Sequence, residues 1–195
     1  MTQIALASTS PRRRELLQSL GFELTLLDPN IDESQKHAES PAHLVLRLAR
    51  EKAQAVAHLT DLPIVAADTI VVVDQEILGK PEDKKDARRM LQLLSNREHL
   101  VLTGYAVLYQ GQITNDIVQT SLVFRKLSKF EIESYLETNE WEGTSGACTL
   151  QGTSGPFVDY MTGSPTNVVG LPLKEVLDAL EKVVTPAGIE PAFTT

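Results

Sequence analysis

One cysteine, Cys148, is all this chain of 195 residues contains. That excludes an internal disulfide and any cysteine-based zinc site, and it fits a reducing compartment. Aromatic residues are scarce as well, at 5%, so the core has to be built from aliphatic side chains. No apolar run approaches the length of a membrane span; runs such as residues 64–67 and 70–73 fall far short. Basic residues are outnumbered: 18 Lys and Arg against 26 Asp and Glu leave a net charge of −8. That sign disfavours a general nucleic-acid binder, which needs a basic face to displace counterions. The first apolar run precedes Arg12, Arg13 and Arg14, the reverse of a secretory signal. No repeat, Walker A loop or G-x-G-x-x-G fingerprint occurs. A soluble, cytoplasmic protein with no membrane or nucleic-acid partner is expected.

What is present is an alternation of strand-like and helix-like segments. Residues 3–7 read as a short buried strand. Ser10 and Pro11 then mark a helix start, as N-cap and first helical residue, with Leu16, Leu17 and Leu20 on one face and Gly21 as a stop. Residues 22–27 predict a second strand and the polar stretch 28–40 a loop. Ser40 and Pro41 repeat the helix start, and Leu44, Val45, Leu48, Ala49, Ala53 and Val56 keep helical spacing over 42–59. Residues 62–73 form a continuous apolar strand of the buried kind, with 76–78 able to pair back. A third helix is predicted over 83–94. Segments 100–109 and 112–124 flank Gln110-Gly111 as a long hairpin. Ser128 and Glu131 make a capping box for a helix to about Glu137. A strand at 157–161 and a helix at 172–183 follow, and 185–195 reads as a loose tail. The class is α/β with a mixed sheet, because a hairpin interrupts the alternation.

Several residues carry possible chemistry. Ser8, Thr9, Ser10, Arg12 and Arg13 sit between a strand and a helix start, where free amides, hydroxyls and guanidinium forks suit a phosphate chain. The alternative there is a capped helix followed by solvated arginines. Asp68 lies inside an apolar strand, where a carboxylate costs several kcal/mol unless it is paired or metal-bound. Lys52 extends the apolar stripe of Leu44 and Leu48, so it reaches a cleft or snorkels at the helix edge. Gly79-Lys80-Pro81 presents one ammonium on a rigid loop, or is an ordinary turn. Asp32 and Glu33 are solvated or hold a divalent cation. Gln151, flanked by small residues, can read a base edge through its amide, unless the segment is a glycine-bounded strand. Residues 164–173 offer amides before the last helix, or a plain turn and cap. The four histidines lack metal-ligand spacing.

In order, LASTSPRRRELL, IDES, RLAREKA, AADTIV, GKP, LTGYAV, LQG and NVVGLPL resemble the Maf family of nucleoside triphosphate pyrophosphatases, from about Ile4 to Lys182. The resemblance implies a single domain over residues 1–184: a mixed twisted sheet in two lobes around a central cleft, like the inosine triphosphatases. It implies hydrolysis of a nucleoside triphosphate to the monophosphate and pyrophosphate, a divalent metal (Mg, Mn or Co) and a homodimer. Asp68 matches the proposed proton acceptor of the family, and Glu33 with Asp68 is implied to hold the metal. Ser8, Arg13, Glu33, Lys52 and Lys80 match the polar residues lining the cleft. Arg12, Thr69 and Gln151 match the positions linked to substrate choice, and their identities resemble the branch acting on dTTP and UTP. Uracil and thymine both show an acceptor–donor–acceptor edge that an amide can satisfy.

The chain departs from that branch at one segment. Thr144 stands where a lysine is usual and Cys148 where a tyrosine is usual. A lost lysine bears on phosphate charge and so on the preferred nucleotide. Two other functions are compatible with the motifs: a nucleotide-binding regulator of cell division and septum formation with little turnover, and a pyrophosphatase for modified nucleotides such as 7-methyl-GTP.

Overall fold

The computed structural model describes residues 2–184; the tail expected over 185–195 lies outside the described residues. The elements run β1 (Gln3–Ala7), α1 (Pro11–Ser19), β2 (Glu23–Leu27), α2 (Pro41–Ala55), β3 (Ile64–Val73), β4 (Glu76–Leu78) and α3 (Lys84–Leu94). They continue with β5 (Glu98–Tyr109), β6 (Gln112–Phe124), α4 (Lys129–Leu136), β7 (Val158–Thr162), α5 (Pro165–Val169) and α6 (Leu173–Val184). The strands follow the order β2-β1-β3-β5-β6-β7, with β4 paired to β3. Parallel pairs (β1 with β2 and β3) and antiparallel pairs (β3 with β4, β6 with β7) both occur, so the sheet is mixed as expected. No helix among the described residues is long and apolar enough to cross a membrane.

The chain divides into two compact units. The first takes the described residues up to Asp68, then Gly104–Ile117, then Gly170 onward. One of its buried clusters is made of small aliphatic residues: Ala5, Ala7, Ala49, Ala53, Val56, Ile64, Ala66 and Ala106. Small residues let α2 lie very close to the sheet. An added Cβ on Gly104 of β5 meets the Val45 carbonyl oxygen of α2 at 2.3 Å. Ser40 caps α2 by accepting a hydrogen bond from the His43 amide, and Pro41 fits the first turn because no helical partner is needed there.

The second unit takes Thr69–Thr103 and Val118–Val169. Its core includes four aromatics, Phe124, Tyr135, Trp141 and Phe157, with Leu91, Leu94, Leu122 and Leu136. Phe157 meets Phe124 and Tyr135 edge to face. The capping box expected at Ser128 and Glu131 is formed. Gln110 and Gly111, both with positive φ (48° and 78°), make the tight turn between β5 and β6.

Candidate active site

Within the first unit, β1 ends at Ala7 and the chain turns before α1. Ser8 is buried, and its Oγ accepts from the Ser10 amide at 3.1 Å and from Arg13 Nη1 at 3.2 Å. Arg13 Nε donates to the Gly170 carbonyl at 2.7 Å. Ser10 occupies the N-cap position as expected, but its side chain makes no capping bond. Burial pushes the Arg13 guanidinium below its usual range; Asp68 and Glu33 oppose that shift by attraction, and Arg12 adds to it by repulsion. Arg12 itself is half-buried. Beside the turn, an open pocket of about 270 Å3 is lined by Ser8, Thr9, Ser10, Pro11, Arg14 and Asp28, among others.

Asp68 and Lys52 resolve each other. Asp68 is 8% exposed on β3 and Lys52 is 5% exposed on α2. Lys52 Nζ donates to Asp68 Oδ1 at 2.6 Å and lies 2.6 Å from Glu33 Oε1. Lys52 or Asp68 left buried without the other would cost several kcal/mol, so these two stand or fall together. Glu33 reaches this pair from the irregular stretch between β2 and α2, and its side chain stays 47% exposed. One ammonium thus joins carboxylates from a loop and a strand. Lysine 52 does not merely snorkel at the helix edge; it is enclosed.

The same convergence bears on a metal. Two carboxylates drawn to one cation suit one divalent ion. No group of three or more His, Cys, Asp or Glu side chains able to hold a metal occurs among the described residues. A divalent ion held by these two carboxylates would complete its shell with water and phosphate oxygens, as Mg2+ does in nucleotide sites.

Three expected residues belong to the second unit. Thr69 Oγ1 pairs with Thr103 Oγ1 at 2.9 Å, and Thr103 Oγ1 donates to the Asn167 carbonyl at 3.1 Å. Asn167 is fully buried and donates to Val101 O and Thr120 Oγ1. Lys80 is exposed after Gly79, whose carbonyl accepts from the Gly146 amide at 3.0 Å. Gln151 is exposed on a loop, not on a strand: a 3-10 turn over Ser145–Ala147 precedes it. Glu140 Oε2 holds that loop by accepting from the Thr153 amide and hydroxyl at 2.8 and 3.0 Å.

At the departure from the usual motif, Thr144 is 2% exposed and its hydroxyl donates to the Trp141 carbonyl at 2.7 Å. Cys148 packs against the second core, and burial pushes its thiol up to about 12. Neither residue is presented for phosphate chemistry.

Within the first unit, then, Ser8, Ser10 and Arg13 form one cluster and Glu33, Lys52 and Asp68 another, coupled through the field on Arg13. Sequence reasoning missed several residues that hold these groups and the Thr69 and Gln151 positions: Arg47, Glu39, Thr103 and Glu140. The only signal for Arg47 was its place in RLAREKA, one helix turn and a half before Lys52.

A family model described as Maf-like protein matches residues 3–183. The dTTP/UTP pyrophosphatase of Pyrococcus abyssi is 44% identical over 179 residues, 91% of this chain and 95% of that protein. The dTTP/UTP pyrophosphatase of Vibrio cholerae is 44% identical over 184 residues, 93% of this chain and 98% of that protein. Among solved structures, a nucleoside-triphosphatase / dITP/XTP pyrophosphatase from Mycobacterium abscessus aligns at 21% identity over 65% of this chain and 76% of that one, with a TM-score of 0.43.

Proposed function

The chain belongs to the Maf family, and on that premise we propose that it hydrolyses dTTP and UTP to the monophosphate and pyrophosphate. The observation that carries the reading is the buried Lys52 ammonium joined to Asp68 and Glu33 at 2.6 Å each, with the Arg13 guanidinium in their field. Cations and carboxylates grouped in this way suit phosphoryl chemistry, in which positioning and charge do most of the work.

Ser8, Ser10 and Arg13 receive the triphosphate at the turn before α1. Arg13, Lys52 and Lys80 offset its charge. Asp68 orients a water and takes its proton as the water attacks the α-phosphorus. Lys52 engages Asp68 Oδ1, which fixes the plane of the carboxylate and leaves Oδ2 to meet the water. Glu33 and Asp68 would hold a divalent cation of the Mg2+, Mn2+ or Co2+ kind, which when bound supplies positive charge to the phosphate oxygens. Pyrophosphate leaves as its developing charge is taken up by Arg13 and the lysines.

Arg12, Thr69 and Gln151 select the pyrimidine base, Gln151 through its amide. The inward hydroxyl of Thr144 supports assigning that position to packing, so phosphate binding does not depend on a lysine there. The protein acts as one two-lobed domain over residues 1–184, as a homodimer in the cytoplasm. Turnover of dTTP, UTP, CTP, GTP and 7-methyl-GTP, with monophosphate and pyrophosphate followed separately, tests the reading. Fast pyrophosphate release from dTTP and UTP is expected. Folded protein that binds nucleotide without turnover would replace this reading with a regulator, and preference for 7-methyl-GTP would replace the base assignment.

A further inference from the structure

Glu33 sits in thirteen residues, 28–40, that contain no helix or strand. Such a stretch has no backbone ladder to fix it, and ordering each residue costs about 1–2 kcal/mol of backbone entropy. A half-exposed glutamate on it would not by itself stay within 2.6 Å of a buried ammonium. Something else must hold the loop, and Arg47 does.

Arg47 lies on α2, five residues before Lys52. Its guanidinium grips Glu39 with two bonds, Nε to Oε1 at 2.6 Å and Nη2 to Oε2 at 2.9 Å. Nη2 also donates to the Ser34 carbonyl at 3.0 Å, and Nη1 to Glu51 Oε2 at 2.8 Å. The fork is largely buried, with 16% of the Arg47 side chain and 9% of the Glu39 side chain exposed. Glu39 in turn accepts from the Lys36 amide at 3.0 Å, and its backbone carbonyl accepts from Gln35 Nε2 at 2.7 Å. Lys36 also reaches Glu51 at 3.4 Å. Two successive residues are thereby tied to one helix: Glu33 through its carboxylate on Lys52, Ser34 through its carbonyl on Arg47. Only a planar guanidinium can make the paired bond to Glu39 and the bond to Ser34 at once; a lysine is a point donor.

We propose that Arg47 is a positioning residue that clamps the 32–39 segment onto α2 and so delivers the Glu33 carboxylate to Lys52 and Asp68. The proposal rests on the reading of Glu33, Lys52 and Asp68 as the catalytic cluster. Arg47 touches no substrate; it acts through Glu33.

The test uses the full chain as wild type, Arg47→Ala, Arg47→Lys, Glu33→Gln and the Arg47→Ala/Glu33→Gln double variant. Amide hydrogen exchange without nucleotide or metal reads the clamp directly. In Arg47→Ala, segment 32–39 is expected to lose protection while the carboxy-terminal half of α2 keeps it; unchanged protection of 32–39 overturns the proposal. Loss of protection throughout α2 would mean a general packing role and overturns it too. Turnover of dTTP against Mg2+ concentration supplies the second readout. Arg47→Ala is expected to raise the half-saturating Mg2+ by about tenfold, as loss of an outer-shell partner does. Arg47→Lys is expected to fall between wild type and alanine. In the Glu33→Gln background the arginine substitution is expected to add little, because its route is already cut; a full additional loss there would contradict the proposal. If wild type turns over neither dTTP nor UTP, the functional reading fails, and the exchange arm still decides the clamp.

Discussion

At the scale of single residues, what decides the site is how each buried charge is compensated. Asp68 could be picked out because a carboxylate interrupts an apolar strand, and Lys52 because it continues a helical apolar stripe. Their pairing at 2.6 Å explains both at once. Glu33 was not legible in this way: it is 19 positions from Lys52 in irregular chain, and an acidic pair on a loop reads as solvated. Arg47 was missed for the same reason, since an arginine on a helix reads as surface charge until its partners are known. If Asp68 takes the water's proton, Asp68→Asn keeps the shape and removes the basicity. We expect kcat for dTTP to fall by about 10²–10⁴ with the fold intact, measured by steady-state turnover beside a thermal melt. A variant within a few-fold of wild type would remove Asp68 from the chemistry.

At the scale of elements, long periodic segments were readable and short ones were not. The strand expected at 62–73 forms as Ile64–Val73, the helix at 83–94 as Lys84–Leu94 with Asp83 as its cap, and the hairpin keeps its two-residue turn. The helix expected over 42–59 stops earlier, at Ala55, and continues as a 3-10 turn over Ala57–Leu59. The five-residue α5 at Pro165–Val169 is too short to show a period, so in sequence it reads as a turn. Ser10 has the sequence of a cap, yet its side chain makes no capping bond, and its own amide is taken by Ser8. The packing of α2 on β5 sets where Lys52 projects, and at Gly104 the two backbones leave no room for a Cβ. Gly104→Ala would drive a Cβ to within 2.3–2.7 Å of the α2 backbone at Val45 and Leu46, which cannot give as a side-chain tip can. A loss of about 3 kcal/mol is expected, at the top of the range for overpacking, read by urea unfolding. Stability within 0.5 kcal/mol of wild type would show that α2 is free to move away.

At the scale of the whole molecule, buried clusters differ in kind: one in the first unit is alanine-rich, and one in the second gathers Phe124, Tyr135, Trp141 and Phe157. Scarcity of aromatics is visible in the sequence; which of them cluster is not, because that depends on which segments share a unit. The second unit also carries a pH liability. His99 is buried edge-on to Phe124, and burial pushes its pKa down from 6.5 to about 4. Between those values the unfolded chain takes up a proton that the folded chain refuses. Stability from this group is therefore complete above about pH 6.5 and lost as pH falls towards 4, by up to about 3 kcal/mol. Thermal melts at pH 7 and pH 5 are expected to differ more in wild type than in His99→Phe. Equal differences would mean that His99 is already protonated in the fold.

In the proposed reaction, water steered by Asp68 attacks the α-phosphorus. The dTTP turnover assay run in water enriched with oxygen-18 tests it most directly, by mass spectrometry of both products. Heavy oxygen is expected in the monophosphate and none in pyrophosphate. Label in pyrophosphate would place the attack on the β-phosphorus and contradict it.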